Sequence, residues 1–275
     1  QRKERALPVM RLVTSLTNPS IKALRGLHER KYRRQSGLFL AEGLRIVTEA
    51  IELGWPPQTL IFLSGREEDA QLAPLIRKAE AGGADIIAVN EAVLAKISRK
   101  DNPQMVLASF VERWVGDSTA MAASKGCWIA LDRVRDPGNL GTILRTADAA
   151  GASGVMLIGE CCDAWSVESV RASMGAIFNI GLARFTEEEF LAARPNWKGR
   201  VIGTALPASV DYREAKWQAP LMLLMGNEQA GLTNALMASA DELVRMPMLG
   251  RSDSLNLAVA TGISLYEFLR HQADS

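Results

Sequence analysis

Short apolar runs of strand length alternate with segments of helical spacing along almost the whole chain, and the alternation breaks only once, around residues 115–125. Strand-length runs fall at 38–41, 59–63, 85–89 and 105–111 before the break, and at 128–131, 154–158, 179–183, 200–204, 221–225 and 242–245 after it. In the front part a helix opens at Asn18, as cap, and Pro19, and helical segments follow at 44–53 and about 67–80. In the rear part they fall near 140–150, 166–173, 186–193, 232–239 and 255–270. Strands that alternate with helices imply crossover connections, and so predict an α/β fold whose sheets are covered by helices. The break, with Gly116, Asp117, Ser118 and a run of small residues, reads as a linker. The expected organisation is a small α/β sandwich domain over 1–114, a linker at 115–125, and a mainly parallel sheet with helices on both faces over 126–275.

Composition removes several classes of function. No run approaches the roughly 18 uncharged apolar residues of a membrane span, and Gln1-Arg2-Lys3-Glu4-Arg5 lacks the apolar segment of a secretion signal, so a cytoplasmic protein without a membrane partner is expected. Cys127, Cys161 and Cys162 are too few and too clustered for a disulfide framework. His28 and His271 lie far apart, so neither a metal site nor a Cys-His nucleophile is expected. The Cys161-Cys162 pair reads as two small, unreactive side chains. Charge is uneven: residues 1–35 carry ten Lys/Arg against two Glu, while the rest of the chain has an acidic excess. A basic front end suits a polyanion, whose bound counterions are released on neutralisation.

In an open parallel sheet ligands collect beyond the carboxyl ends of the strands, so the turns after the rear strands are where chemistry is sought. The first turn, Asp132 to Gly141, leads into a helix that Asn139 could cap; its apolar stripe Leu140, Ile143, Leu144 and Ala147 leaves Arg145 facing solvent or a ligand. The second, Met225-Gly226-Asn227-Glu228-Gln229-Ala230-Gly231, has a glycine that permits close backbone approach and places the Glu228 carboxylate at the sheet's edge. The third runs from Met246-Pro247-Met248 to Ser254-Leu255-Asn256, and continues as a helix with apolar positions Leu255, Val259, Ile263, Tyr266 and Leu269. Ser254 and Asn256 are expected in its first turn, beside free N–H groups. Each turn alone is also an ordinary loop or cap. The chain contains neither a Walker loop nor a Gly-x-Gly-x-x-Gly fingerprint.

Together the turns resemble the signature of the SpoU/TrmH family of RNA ribose methyltransferases, as Asn139-x-Gly141-x-x-x-Arg145, Leu224-Met225-Gly226-Asn227-Glu228-x-x-Gly231, and Met246-Pro247-Met248 followed by Ser254-Leu255-Asn256. The segment Val170 to Ala176 also fits. The front domain, with Ile21-Lys22-Ala23-Leu24 and Phe39-Leu40-Ala41-Glu42-Gly43, resembles the family's substrate-binding domain, which is similar to ribosomal protein L30e. The resemblance implies a trefoil-knotted α/β domain, a homodimer with its active site at the subunit interface, and S-adenosylmethionine as methyl donor. It further implies structured RNA, with ribosomal RNA favoured over transfer RNA, as the partner that receives a methyl on a ribose 2′-oxygen. By position Thr204, Gly226, Met246, Met248 and Leu255 would hold the donor. Asn139, Arg145, Glu228, Ser254 and Asn256 would make the catalytic set, with Arg145 acting on the 2′-hydroxyl or holding the adjacent phosphate. Arg133, Arg135, Arg171 and Arg251 would add positive charge for an RNA backbone. The competing readings are a non-catalytic RNA-binding or ribosome-assembly factor on the same fold, and a small-molecule or base methyltransferase.

Overall fold

The computed structural model describes residues 10–122, 125–206, 208 and 210–273, so the basic stretch 1–35 is seen only from Met10, and Arg2, Lys3 and Arg5 lie outside the described residues. The chain divides into two units. One runs through Glu112 and also holds Trp165–Phe178; the other comprises Arg113–Ala164 and the chain from Asn179 on.

The first unit is a sheet in the order β1 (Arg11–Val13), β4 (Asp85–Val89), β3 (Thr59–Leu63), β5 (Val106–Val111), β2 (Leu38–Glu42). The β1, β4 and β3 strands pair in parallel, whereas β5 is antiparallel to both β3 and β2. Its helices are α1 (Pro19–Gly26), α2 (Arg30–Ser36), α3 (Leu44–Glu52), α4 (Leu72–Ala81) and α5 (Glu91–Ser98). Asn18 caps α1 as expected, accepting from Ser20 N at 2.9 Å with Pro19 in the first turn. Ile21 and Leu24 of α1 and Val93, Leu94 and Ile97 of α5 then pack on Leu40, Ile61, Ile87 and Leu107. β1 escaped the sequence pattern because it is only three residues long. Likewise α4 starts at Leu72 rather than near residue 67, after a turn in which Asp69 Oδ1 accepts from Gln71 N and Leu72 N.

Segment Trp165–Phe178, with the eighth helix in chain order, α8 (Val167–Ala172), was expected inside the rear domain but belongs to the first unit. Its aromatic ends explain this. Trp165 lies 4.5 Å and Phe178 5.8 Å from Phe39, centroid to centroid, and Trp55 Nε1 donates to Phe178 O at 2.8 Å. Such aromatic pairs add about 0.5–1.5 kcal/mol each beyond the area they bury. Glu42 then receives Arg171 at 3.3 Å, Lys100 at 2.8 Å and Ser98 Oγ at 2.8 Å.

The second unit is a parallel sheet in the order β10 (Val210–Asp211), β12 (Glu242–Arg245), β9 (Arg200–Thr204), β11 (Leu221–Met225), β6 (Cys127–Asp132), β7 (Gly154–Ile158), β8 (Gly181–Phe185). Its helices are α6 (Asp117–Met121), α7 (Pro137–Ala149), α9 (Glu187–Ala193), α10 (Asn234–Ser239) and α11 (Leu257–Ala273). Every residue of β6, β7 and β11 is buried, which is why these strands read as unbroken apolar runs rather than alternating ones. The stretch expected as a bare linker contains α6, whose Ala120 and Met121 are buried in this unit's core. Ala120 there serves packing as well as a connection.

Candidate active site

The three turns singled out from the sequence meet at the carboxyl ends of β9, β11, β12 and β6. The β11 turn is built around Asn227. Its Oδ1 accepts from Gln229 N and Ala230 N, its backbone pairs with Gly231 in both directions, and its Nδ2 donates to Arg133 O at 2.8 Å. Gly226 is required by this loop itself: a Cβ there would stand 2.4 Å from Leu232 N and 2.5 Å from Gly231 C. Gly231, with φ of +67°, turns the loop back in the left-handed region. Glu228 is thereby held at the loop's outer edge.

Beneath it, buried Asp132 at the end of β6 takes Arg133 Nε at 2.8 Å and Nη2 at 2.9 Å and accepts from Thr233 N at 3.2 Å. Those hydrogen bonds to Asp132 raise the pKa of Arg133, whose Nη2 also donates to Gly231 O. Arg133 therefore locks two turns together and is not a free charge for RNA. Arg171, paired with Glu42 in the first unit, is likewise engaged. Arg135 and Arg251 are exposed.

Glu228, Asn139 and Asn256 form one relay. Asn139 Nδ2 donates to Glu228 Oε1 at 3.4 Å, and Asn256 Nδ2 donates to Asn139 Oδ1 at 2.9 Å. Two expectations need correction. The cap of α7 is Asp136, which accepts from Asn139 N at 2.6 Å, so Asn139 sits in the first turn with its side chain free for Glu228. α11 starts at Leu257, with Asn256 as its cap accepting from Ala258 N and Val259 N, so Ser254 precedes the helix.

A cleft of about 320 Å3 opens beside Glu228. Thr204, Gly226, Met246, Met248 and Leu255 all line it, as do Glu228 and Ser254, with Met225, Asp253 and Leu257 completing its apolar floor and polar rim. Thr204 Oγ1 donates to Met225 Sδ at 3.5 Å. Asn139 and Asn256 join the cleft only through Glu228, and Arg145 does not line it. Among the described residues the Arg145 side chain makes no ion pair or hydrogen bond, and it stands exposed two turns along α7.

The position of Arg145 follows from how α7 and α11 pack. Asn256 meets Asn139, and a Cβ on Gly262 would stand 3.5 Å from the Thr146 methyl, so the helices run side by side in one direction. At 3.6 residues per turn, Arg145, Thr142 and Ala149 share one open face with Val259, Ile263 and Tyr266. The apolar positions read from helical spacing include exposed ones, Val259 by 51% and Tyr266 by 55%, while Leu257, Leu265 and Phe268 carry the packing. Helical spacing finds both faces of a helix that is apolar almost all round, and cannot say which is covered.

Asp132 and Asn227, the two residues that tie the turns together, were not singled out from the sequence, although both stood inside quoted motifs. Burial pushes the Cys161 thiol up to about 11 and Cys162 to about 12, so both remain protonated at neutral pH. No group of metal-ligating side chains occurs among the described residues, and no helix is long and apolar enough to cross a membrane.

Residues 126–266 match the SpoU rRNA Methylase family, and residues 18–108 match the MRM3-like substrate binding domain. The chain is 31% identical over 256 residues to the 23S rRNA (uridine(2479)-2′-O)-methyltransferase of Streptomyces viridochromogenes, covering 90% of this chain and 87% of that one. It is 29% identical to the 23S rRNA (guanosine(2553)-2′-O)-methyltransferase of Bacillus subtilis, over 94% of this chain and 98% of that one. The AdoMet-bound rRNA methyltransferase of Sinorhizobium meliloti superposes with a TM-score of 0.90 at 47% identity, covering 95% of this chain and 98% of that one.

Proposed function

Because the chain belongs to the SpoU rRNA methylase family, we propose that it transfers a methyl group from S-adenosylmethionine to a ribose 2′-hydroxyl of ribosomal RNA, the large-subunit RNA being favoured. The observation that carries this reading is the convergence of three separated turns on one cleft at the strand ends, beside the Glu228–Asn139–Asn256 relay. The donor set fits S-adenosylmethionine. Met225, Met246, Met248, Leu255 and Leu257 offer apolar surface to a purine, Thr204 and Ser254 offer hydroxyls, and Glu228 and Asp253 offer carboxylates to a cationic ligand. When bound, the donor supplies an already activated methyl, so the protein's task is chiefly orientation.

Each residue's part follows from its place. Thr204, Gly226, Met246, Met248 and Leu255 hold the donor. Gly226 does so by letting the Asn227–Gly231 loop close, not by yielding space to the ligand. Glu228, oriented by Asn139 and Asn256, positions the site, and Ser254 lies on its rim. Arg145, always cationic, is better suited to hold the RNA phosphate and stabilise developing charge on the 2′-oxygen than to remove its proton.

The exposed Val259 and Tyr266, with half-buried Ile263 between them, support a homodimer through the α7–α11 face. Arg145 would then stand at the interface. A trefoil knot, which the family suggests, is compatible with residues 246–256 leaving β12 beyond β9 and returning to bring α11 alongside α7. An RNA-modifying enzyme of this kind would work in the cytoplasm. Two measurements test the reading: calorimetric titration with S-adenosylmethionine, and mapping of 2′-O-methyl positions in RNA from cells with and without the gene. Absence of donor binding would leave an RNA-binding factor, and an unchanged methylation map would refute the enzyme.

A further inference from the structure

The sheet face beneath α1 and α5 in the first unit is apolar along Leu107, Ile61 and Ile87, but two residues further toward one end the cross-strand row reads Ser109, Thr59, Asp85. Residues opposed across paired strands share a face, so all three project under α1 and α2. Ser109 is fully buried and its Oγ has no hydrogen-bond partner. A buried hydroxyl left unpaired is costly and calls for a missing partner. A cleft of about 360 Å3 opens over this row, lined also by Leu24 of α1, by Leu27 just after it, and by Tyr32 and Gln35 of α2. The Tyr32 ring is 45% exposed. Lys31 Nζ on α2 stands 6.0 Å from the centroid of that ring, while Asp85 is paired with Arg11.

We propose that this cleft receives one unpaired nucleoside of the RNA, its base against Tyr32 and its polar edge on Ser109, Thr59 and Gln35, with a flanking phosphate on Lys31. The inference rests on the RNA reading above and adds a second site, in the first unit. Three strands spaced by about 4.8 Å give the polar row a length of roughly 10 Å, which suits a nucleoside better than a lone ion. A cleft near the small end of the usual 300–1,000 Å3 range suits one planar ligand. An exposed aromatic ring beside a cation, as Tyr32 stands beside Lys31, is a usual platform for an unstacked base.

The test is an amide-resolved NMR titration of the full chain with AMP, GMP, CMP and UMP separately, and with ribose 5-phosphate. At least one nucleotide should saturably shift the amides of Tyr32, Thr59 and Ser109, and ribose 5-phosphate should not. Ser109→Val replaces an unpaired hydroxyl with a methyl of similar size, so the fold should persist while nucleotide affinity falls roughly tenfold. Tyr32→Ala, at an exposed position, should weaken the same titration whatever Ser109→Val does to the fold. Silence with all four nucleotides would overturn the proposal. So would equal shifts with ribose 5-phosphate, or affinity unchanged in both variants. S-adenosylmethionine binding reads the cleft of the other unit, so either result leaves the other standing.

Discussion

Asn256 Nδ2 donates to Asn139 Oδ1 at 2.9 Å, tying the start of α11 to the first turn of α7. The polarity of this link is forced, because the Glu228 carboxylate only accepts, so Asn139 turns its amide nitrogen to Glu228 and its oxygen to Asn256. Asn256→Asp keeps the acceptor that caps α11 but sets an oxygen against the Asn139 oxygen. Its melting temperature should stay close to that of the parent, while methyl transfer falls by about tenfold or more. Asn256→Ala should lose both, with about 1 kcal/mol of stability going with the cap. Calorimetry beside a transfer assay reads the two effects, and a fully active Asn256→Asp would remove the relay from the site.

Arg145 lies outside the donor cleft and has no partner among the described residues to hold it. Arg145→Ala should therefore lower methyl transfer by about a hundredfold or more while S-adenosylmethionine affinity stays within about twofold. Arg145→Lys keeps the charge without the planar fork and should recover only part of the rate. Turnover retained by Arg145→Ala would end its assigned role.

The sheet of the second unit was legible because a strand buried on both faces must be apolar throughout, as 221–225 is. The cleft was legible because turns at the ends of parallel strands are where ligands gather, and all five expected donor residues line it. Long-range attachments were less legible. Nothing local in Trp165 or Phe178 says that their segment packs against Phe39 and Trp55, since that depends on aromatic partners more than a hundred residues away. Nor could spacing say that Val259 and Tyr266 stay open while Leu265 and Phe268 are covered, because all four are apolar.

Glu42 anchors Arg171 and Lys100 in the first unit, which makes that attachment sensitive to acid. Burial raises its pKa, but hydrogen bonds from Lys100, Ser98 and Gln104 outweigh burial and leave it below the ordinary value. A depressed carboxylate contributes stability that is full above its unfolded pKa, about 4.3 for Glu, and is lost as the pH falls through the lower folded value. Parent protein should thus lose stability below about pH 4.3 more steeply than Glu42→Gln, which should already be less stable at pH 7. Urea midpoints from pH 7 down to about pH 3, below the unfolded value, measure this, and parallel pH curves for the two proteins would contradict it.

The open α7–α11 face predicts a dimer in which two chains share their chemistry. Val259→Asp puts a charge into the exposed stripe without touching Leu257, Leu265 or Phe268, so the fold should hold while sedimentation shifts from dimer to monomer and methyl transfer is lost. Arg145 shares that face and is absent from the wall of its own cleft, which raises the question of whose cleft it serves. Co-expressing Arg145→Ala with Glu228→Ala answers it. If Arg145 acts across the interface, a mixed dimer holds one intact site, and random pairing restores about a quarter of parental activity. If it acts within its own chain, every site lacks one partner and the mixture stays as inactive as either variant alone. A monomeric, fully active Val259→Asp would remove both the interface and this division of labour.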